Sequence, residues 1–256
     1  MSSSTSAGPA DIYGSPQIYV SHVLARRGPN MIPGKWQPDK DLSKWEKRDL
    51  GSVLPWTGFT FEHFTKRYHQ KLCTPMEMPY EHPNYGKLEV PHVKHLKMGV
   101  DLVFRKVKAA FKAVDRDSPN RELIFTQNTT KFGRSKPFSI SMKGVDYMST
   151  VCTVLVGIVC QDIVLNSAML KEEDASNLVA LQHLAHCAST AKTRYGILAT
   201  DKEPIIVCFQ EAIVGFPPGA KWFSVPWERS GTNELTACMA VWCLINLWNE
   251  KSPDLD

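Results

Sequence analysis

Residues 150–161 read TVCTVLVGIVCQ, a run without a single charge. β-Branched residues dominate it, and apolar side chains occupy both alternating faces. That is the pattern of a strand covered on both sides, so this stretch is expected to run through the interior of a sheet. Before it, RELIFTQ (121–127) and KPFSISMKGVDY (136–147) alternate apolar and polar residues as strands do. After it, KEEDASNLVALQHLAHCASTA (171–191) changes to helical spacing, with Leu178, Leu181, Ala185 and Ala188 on one face. Glu172, Glu173 and Asp174 are expected in the first turn of that helix, where its dipole favours anions.

Next comes a hairpin. TRYGIL (193–198) and IIVCF (205–209) flank the tip ATDKEP, with Pro204 opening the second strand and the charged tip facing water. FPPGAKWFSVPW (216–227) reads as a turn-rich link. The last helix, GTNELTACMAVWCLINLWNE (231–250), is apolar all round, starts near Thr232 and should be deeply buried. From residue 120 the order is strand, strand, strand, helix, hairpin, helix. This predicts an α/β (α+β) fold with a mixed central sheet and flanking helices.

The first half is less regular. Residues 1–17 are rich in Ser, Gly and Pro and read as a disordered tail. Residues 18–58 carry four prolines and Trp36, Trp45 and Trp56, and read as an extended segment packed on the body. The remainder, 59–256, reads as one globular domain with its core at about 120–250. Phe61, Phe64 and Tyr68 share one face of a helix in TGFTFEHFTKRYHQKL (57–72). A second helix is expected over 91–116, with Val93, Leu96, Val100, Val103, Val107, Ala110 and Val114 inward. Its other faces hold Lys94, Lys97, Arg105, Lys106, Lys108 and Lys112. The plain reading is a solvated face; the sharper one is a set of phosphate contacts to nucleic acid through Lys94, Lys97, Arg105, Lys108 and Lys112.

A net charge of +4 on 256 residues permits nucleic-acid binding without requiring it. The seven cysteines lack C-x-x-C spacing and sit mostly in apolar runs, which reads as buried, reduced thiols in an intracellular protein, cytoplasmic or nuclear. No uncharged stretch reaches the roughly 18 apolar residues of a membrane span. His92 with His95, and His183 with His186 and Cys187, are too sparse for a zinc site and read as packed or surface residues. No G-x-S-x-G, Walker or dinucleotide-binding glycine motif is present.

The order of elements resembles the PD-(D/E)XK nuclease-like superfamily. There an Asp begins one strand, a Glu-x-Lys sits on the next, and a helix often bearing Gln-x-x-x-Tyr follows. Here Asp146 in GVDYMST matches the first acid, LVGIVCQ matches the Glu-x-Lys strand, and Gln182 with His186 matches the helix motif with His for Tyr. The hairpin and the segment from VPWERSG through the last helix also resemble a fungal protein family. The likeness covers about residues 140–250. It implies a restriction-endonuclease-like core in which strand carboxylates would hold Mg²⁺ against a scissile phosphate, with Asp146 as metal ligand and catalytic acid.

The departure lies at the Glu-x-Lys position, which reads Ile158-Val159-Cys160; none of the 26 acidic residues has a lysine two positions on. An aliphatic side chain cannot ligate magnesium. The expectation is therefore a non-catalytic domain serving as a binding or regulatory module for nucleic acid or protein, without a cofactor. Two other readings stand beside it. One is an active Mg²⁺-dependent nuclease whose ligand set has moved, with Glu62, or Asp39 or Asp41 with Lys40 or Lys44, joining Asp146 and Gln182. The other is an interaction protein of unrelated α+β fold, which would lack a central strand at 151–160 beside the hairpin.

Overall fold

The computed structural model describes residues 17–28, 31–33, 48–79, 88–90, 93–116, 118, 120–129, 135–144, 150–160, 166–171, 178–210 and 217–250. The first half supplies β1 (Ile18–Tyr19), α1 (Val20–Leu24), β2 (Met31–Pro33), β3 (Val53–Pro55), α2 (Phe61–Arg67), α3 (His69–Leu72), β4 (Pro75–Met76), β5 (Leu88–Val90) and α4 (Val93–Val114). The second half supplies β6 (Glu122–Thr129), β7 (Ser135–Lys143), β8 (Val151–Val159), α5 (Ser167–Lys171) and α6 (Val179–Thr190). It ends with β9 (Tyr195–Ala199), β10 (Pro204–Phe209), β11 (Ala220–Ser224) and α7 (Ala237–Asn249).

Seven strands form one mixed sheet in the order β3-β11-β10-β9-β8-β7-β6. β6, β7 and β8 are an antiparallel meander. α5 and α6 then carry the chain to β9, which lies parallel to β8, and the hairpin β9–β10 continues antiparallel into β11. β3 closes the far edge, parallel to β11. β1 with β4, and β2 with β5, make two separate two-stranded pairs.

Helices cover the sheet unevenly. Residues of α1, α2, α3, α4 and α7 share one core with Leu155, Val159, Ile197 and Ile206. The second core, on the other face, packs α5 and α6 onto Val156, Ile158, Leu198 and Val207. The period-two alternation of β8 thus feeds both layers, as its two apolar faces predict. A register shift against β7 pairs Leu155 with Ile140 and Thr153 with Ser141, so Val154 is an inserted bulge residue. Val154 and Leu155 consequently share the first core.

Four expectations are corrected. α6 begins at Val179 with no acid in its first turn; Glu172, Glu173 and Asp174 lie outside the described residues. α7 begins at Ala237, not near Thr232, because the Thr236 hydroxyl accepts from Met239 N and caps it. The link at 216–227 contains a strand, β11. Residues 18–58 are not merely extended: α1 buries Val20, Val23 and Leu24 completely, and β3 joins the sheet. β8 stands inside the sheet with β7 on one side and the hairpin strand β9 on the other.

Candidate functional site

β8 sets the chemistry available at the middle of the sheet. Ile158, Val159 and Cys160 are 1%, 3% and 6% exposed. Ile158 and Cys160 enter the second core, against helix α6, while Val159 enters the first. Hydrocarbon and thiol therefore fill both sides of the position that would have to offer carboxylate oxygen to Mg²⁺. Ile158, Val159 and Cys160 offer that ion no carboxylate.

The other candidates are dispersed. Asp146, Asp39, Asp41, Lys40 and Lys44 lie outside the described residues. Glu62 is exposed in the first turn of α2, below the Thr60 cap. Gln182 is half-buried on α6. These two helices belong to opposite layers, so the sheet stands between Glu62 and Gln182. Among the described residues, no group of three or more His, Cys, Asp or Glu is placed to hold a metal ion.

The basic face of α4 is partly neutralised. Arg105 pairs with Asp101 one turn back at 2.9 Å, and Lys108 with Glu122 of β6 at 2.8 Å. That hydrogen bond from Lys108 holds the Glu122 carboxyl below its ordinary range. Lys112 is exposed; the side chains of Lys94 and Lys97 lie outside the described residues. Lys106 does not belong to the solvated face, being buried with its Nζ donating to the Arg27 carbonyl at 3.2 Å.

α6 carries two shifted groups. Burial, aided by His186, lowers His183 to about 4, so its ring is neutral near pH 7. Burial likewise raises the Cys187 thiol to about 11, which makes it a poor nucleophile. None of the seven cysteines is in a disulfide, yet not all are buried: Cys73 is exposed, and Cys152 and Cys187 are intermediate.

The hairpin tip is also less solvated than its charges suggest. Thr200 is fully buried. Its carbonyl accepts from Trp227 Nε1 at 2.8 Å, and Glu203 Oε1 accepts from Ser167 N at the start of α5 at 2.9 Å. A cavity of about 230 Å³ lies between β3 and α5–α6, lined by Val53, Leu54, Met169, Leu170 and Leu178 among others. Among the described residues that line it, none is ionisable.

One polar cluster escaped the sequence reading. Glu250 caps the end of α7 and faces α2 and α3. Its Oε2 accepts from Arg67 Nη2 at 2.9 Å, Arg67 Nε at 3.1 Å and the Tyr68 hydroxyl at 3.2 Å. Its Oε1 accepts from Lys71 Nζ at 3.2 Å, and the same ammonium donates to Asn246 Oδ1 at 2.8 Å. Partial burial opposes ionisation of Glu250, but the bonds from Lys71 and Arg67 outweigh it and hold the carboxyl below its ordinary range. Burial and then the Glu250 charge push the Tyr68 phenol far up, so it stays a donor. Nothing local in the sequence announces this cluster, because Arg67 and Glu250 are 183 positions apart.

Among the described residues no helix is long and apolar enough to cross a membrane. No protein-family model, curated protein or solved structure matches this chain.

Proposed function

We propose that this chain is a non-catalytic, PD-(D/E)XK nuclease-like domain acting as a binding or regulatory module. The carrying observation is the buried Ile158-Val159-Cys160 at the end of β8, where the resemblance would call for a metal-holding acid and a lysine. Support for the nuclease-like part comes from the order of elements: meander, helix, then a parallel strand opening a hairpin. A protein is the favoured partner. Of the three basic candidates on α4 whose side chains are described, Arg105 and Lys108 are committed to carboxylates, which weakens a phosphate-contacting face.

The test is strand cleavage in Mg²⁺ and Mn²⁺ on single- and double-stranded DNA and RNA, with calorimetric titration of both metals. The expected result is no cleavage and no metal binding that depends on Asp146. Cleavage in Mn²⁺ that disappears in Asp146→Ala would establish the relocated-ligand nuclease instead. Nucleic-acid binding at low salt that weakens steeply as salt rises would restore the basic-face partner.

A further inference from the structure

We propose that Arg67, Tyr68 and Lys71 form a binding site for a phosphate monoester, which the chain closes from within by Glu250. Three side chains from one helical turn and its neighbour converge on a single carboxylate, with every donor bond between 2.9 and 3.2 Å. Among the described residues two cations meet one anion, an excess positive charge that a dianion would balance better than a carboxylate does.

The receptor half also has supports besides Glu250, among them the bond from Lys71 to Asn246. Lys66 and Arg67 lie in the last turn of α2 and Lys71 in that of α3, where helix dipoles favour cations. Tyr68 is 2% exposed, wedged edge-on against Trp242 and stacked on Phe64. Its ring lies 5.0 Å from Lys71 Nζ and 5.7 Å from the Arg67 guanidinium carbon. Glu250 is the weaker half. It stands at the C-terminal cap of α7, where the dipole disfavours a negative charge, and its side chain is 31% exposed. Only the donors compensate for that placement. An oxyanion presenting several acceptors can take all of them and release the carboxylate to water.

Methyl phosphate, a dianion well above pH 6, is titrated calorimetrically at fixed ionic strength into full-length wild type, Glu250→Ala and Glu250→Ala/Arg67→Ala. Removing the internal competitor makes every molecule binding-competent, so Glu250→Ala should bind at least about tenfold more tightly than wild type. The double variant should lose that gain, and the monoanion dimethyl phosphate should bind Glu250→Ala about tenfold more weakly than methyl phosphate does. Equal affinities for wild type and Glu250→Ala, for the single and double variants, or for the two esters would overturn the proposal. If circular dichroism shows that Glu250→Ala does not fold, Glu250→Gln replaces it with the same expected gain.

Discussion

Gly157 has no side chain because Phe138 fills the place of one: a Cβ there would sit 1.9 Å from the ring's Cζ. Phe138 is itself fully buried, between β8 and the Phe125 ring, and cannot swing away. Gly157→Ala should therefore cost about 3 kcal/mol, the upper end of overpacking penalties, read from the urea midpoint at unchanged m-value. His183 makes a prediction in pH. Its folded-state value is near 4 against an ordinary 6.5, so the unfolded chain binds more protons between those limits. Its neutral-ring contribution is fully present above 6.5 and falls away as pH drops toward 4. Urea midpoints at pH 7 and pH 5 should show wild type losing more stability on acidification than His183→Leu does. Residue-level chemistry was legible only in part. The lack of a carboxylate at Ile158 can be read from the sequence, since identity alone decides it. The shift on His183 cannot, since it depends on how α6 is covered.

Thr236 shows how one residue fixes an element. Its hydroxyl caps α7 by accepting from Met239 N at 3.2 Å, and donates to the Leu24 carbonyl at the end of α1. Thr236→Ala would leave both groups unpaired in a fully buried place, costing about 2 kcal/mol in denaturant unfolding. Thr236→Ser should recover most of it. The element boundaries that sequence reading placed well are those set by periodicity. α4 follows its apolar stripe to Val114, and β10 starts at Pro204. Those it misplaced depend on partners. β11 hides among Pro217, Pro218 and Pro226, yet Lys221 and Trp222 become strand residues because β10 and β3 pair with them on both sides. Thr232 and Thr236 look equally fit to cap a helix; the carbonyl of Leu24 selects the second.

At the scale of the molecule, the sheet is held by segments far apart in sequence. α1 places Val20, Val23 and Leu24, each 0% exposed, into the core shared by α4 and α7. Full burial of three such side chains is worth about 5–9 kcal/mol, comparable to the whole stability of a typical domain. A chain lacking residues 1–57 should therefore fail to unfold cooperatively in urea and should lose its near-ultraviolet dichroism. The meander and hairpin were legible because their pairings are local. The docking of α1 and β3 was not, since proline-rich sequence carries no period that betrays a distant partner. That docking also has a temporal side. β3 cannot find β11 until 165 further residues have left the ribosome (Pro55 to Ala220), about 10–30 s at ordinary rates of synthesis. Throughout that interval the nascent polypeptide displays Trp56, Phe59 and Phe64 uncovered, a natural landing place for a chaperone.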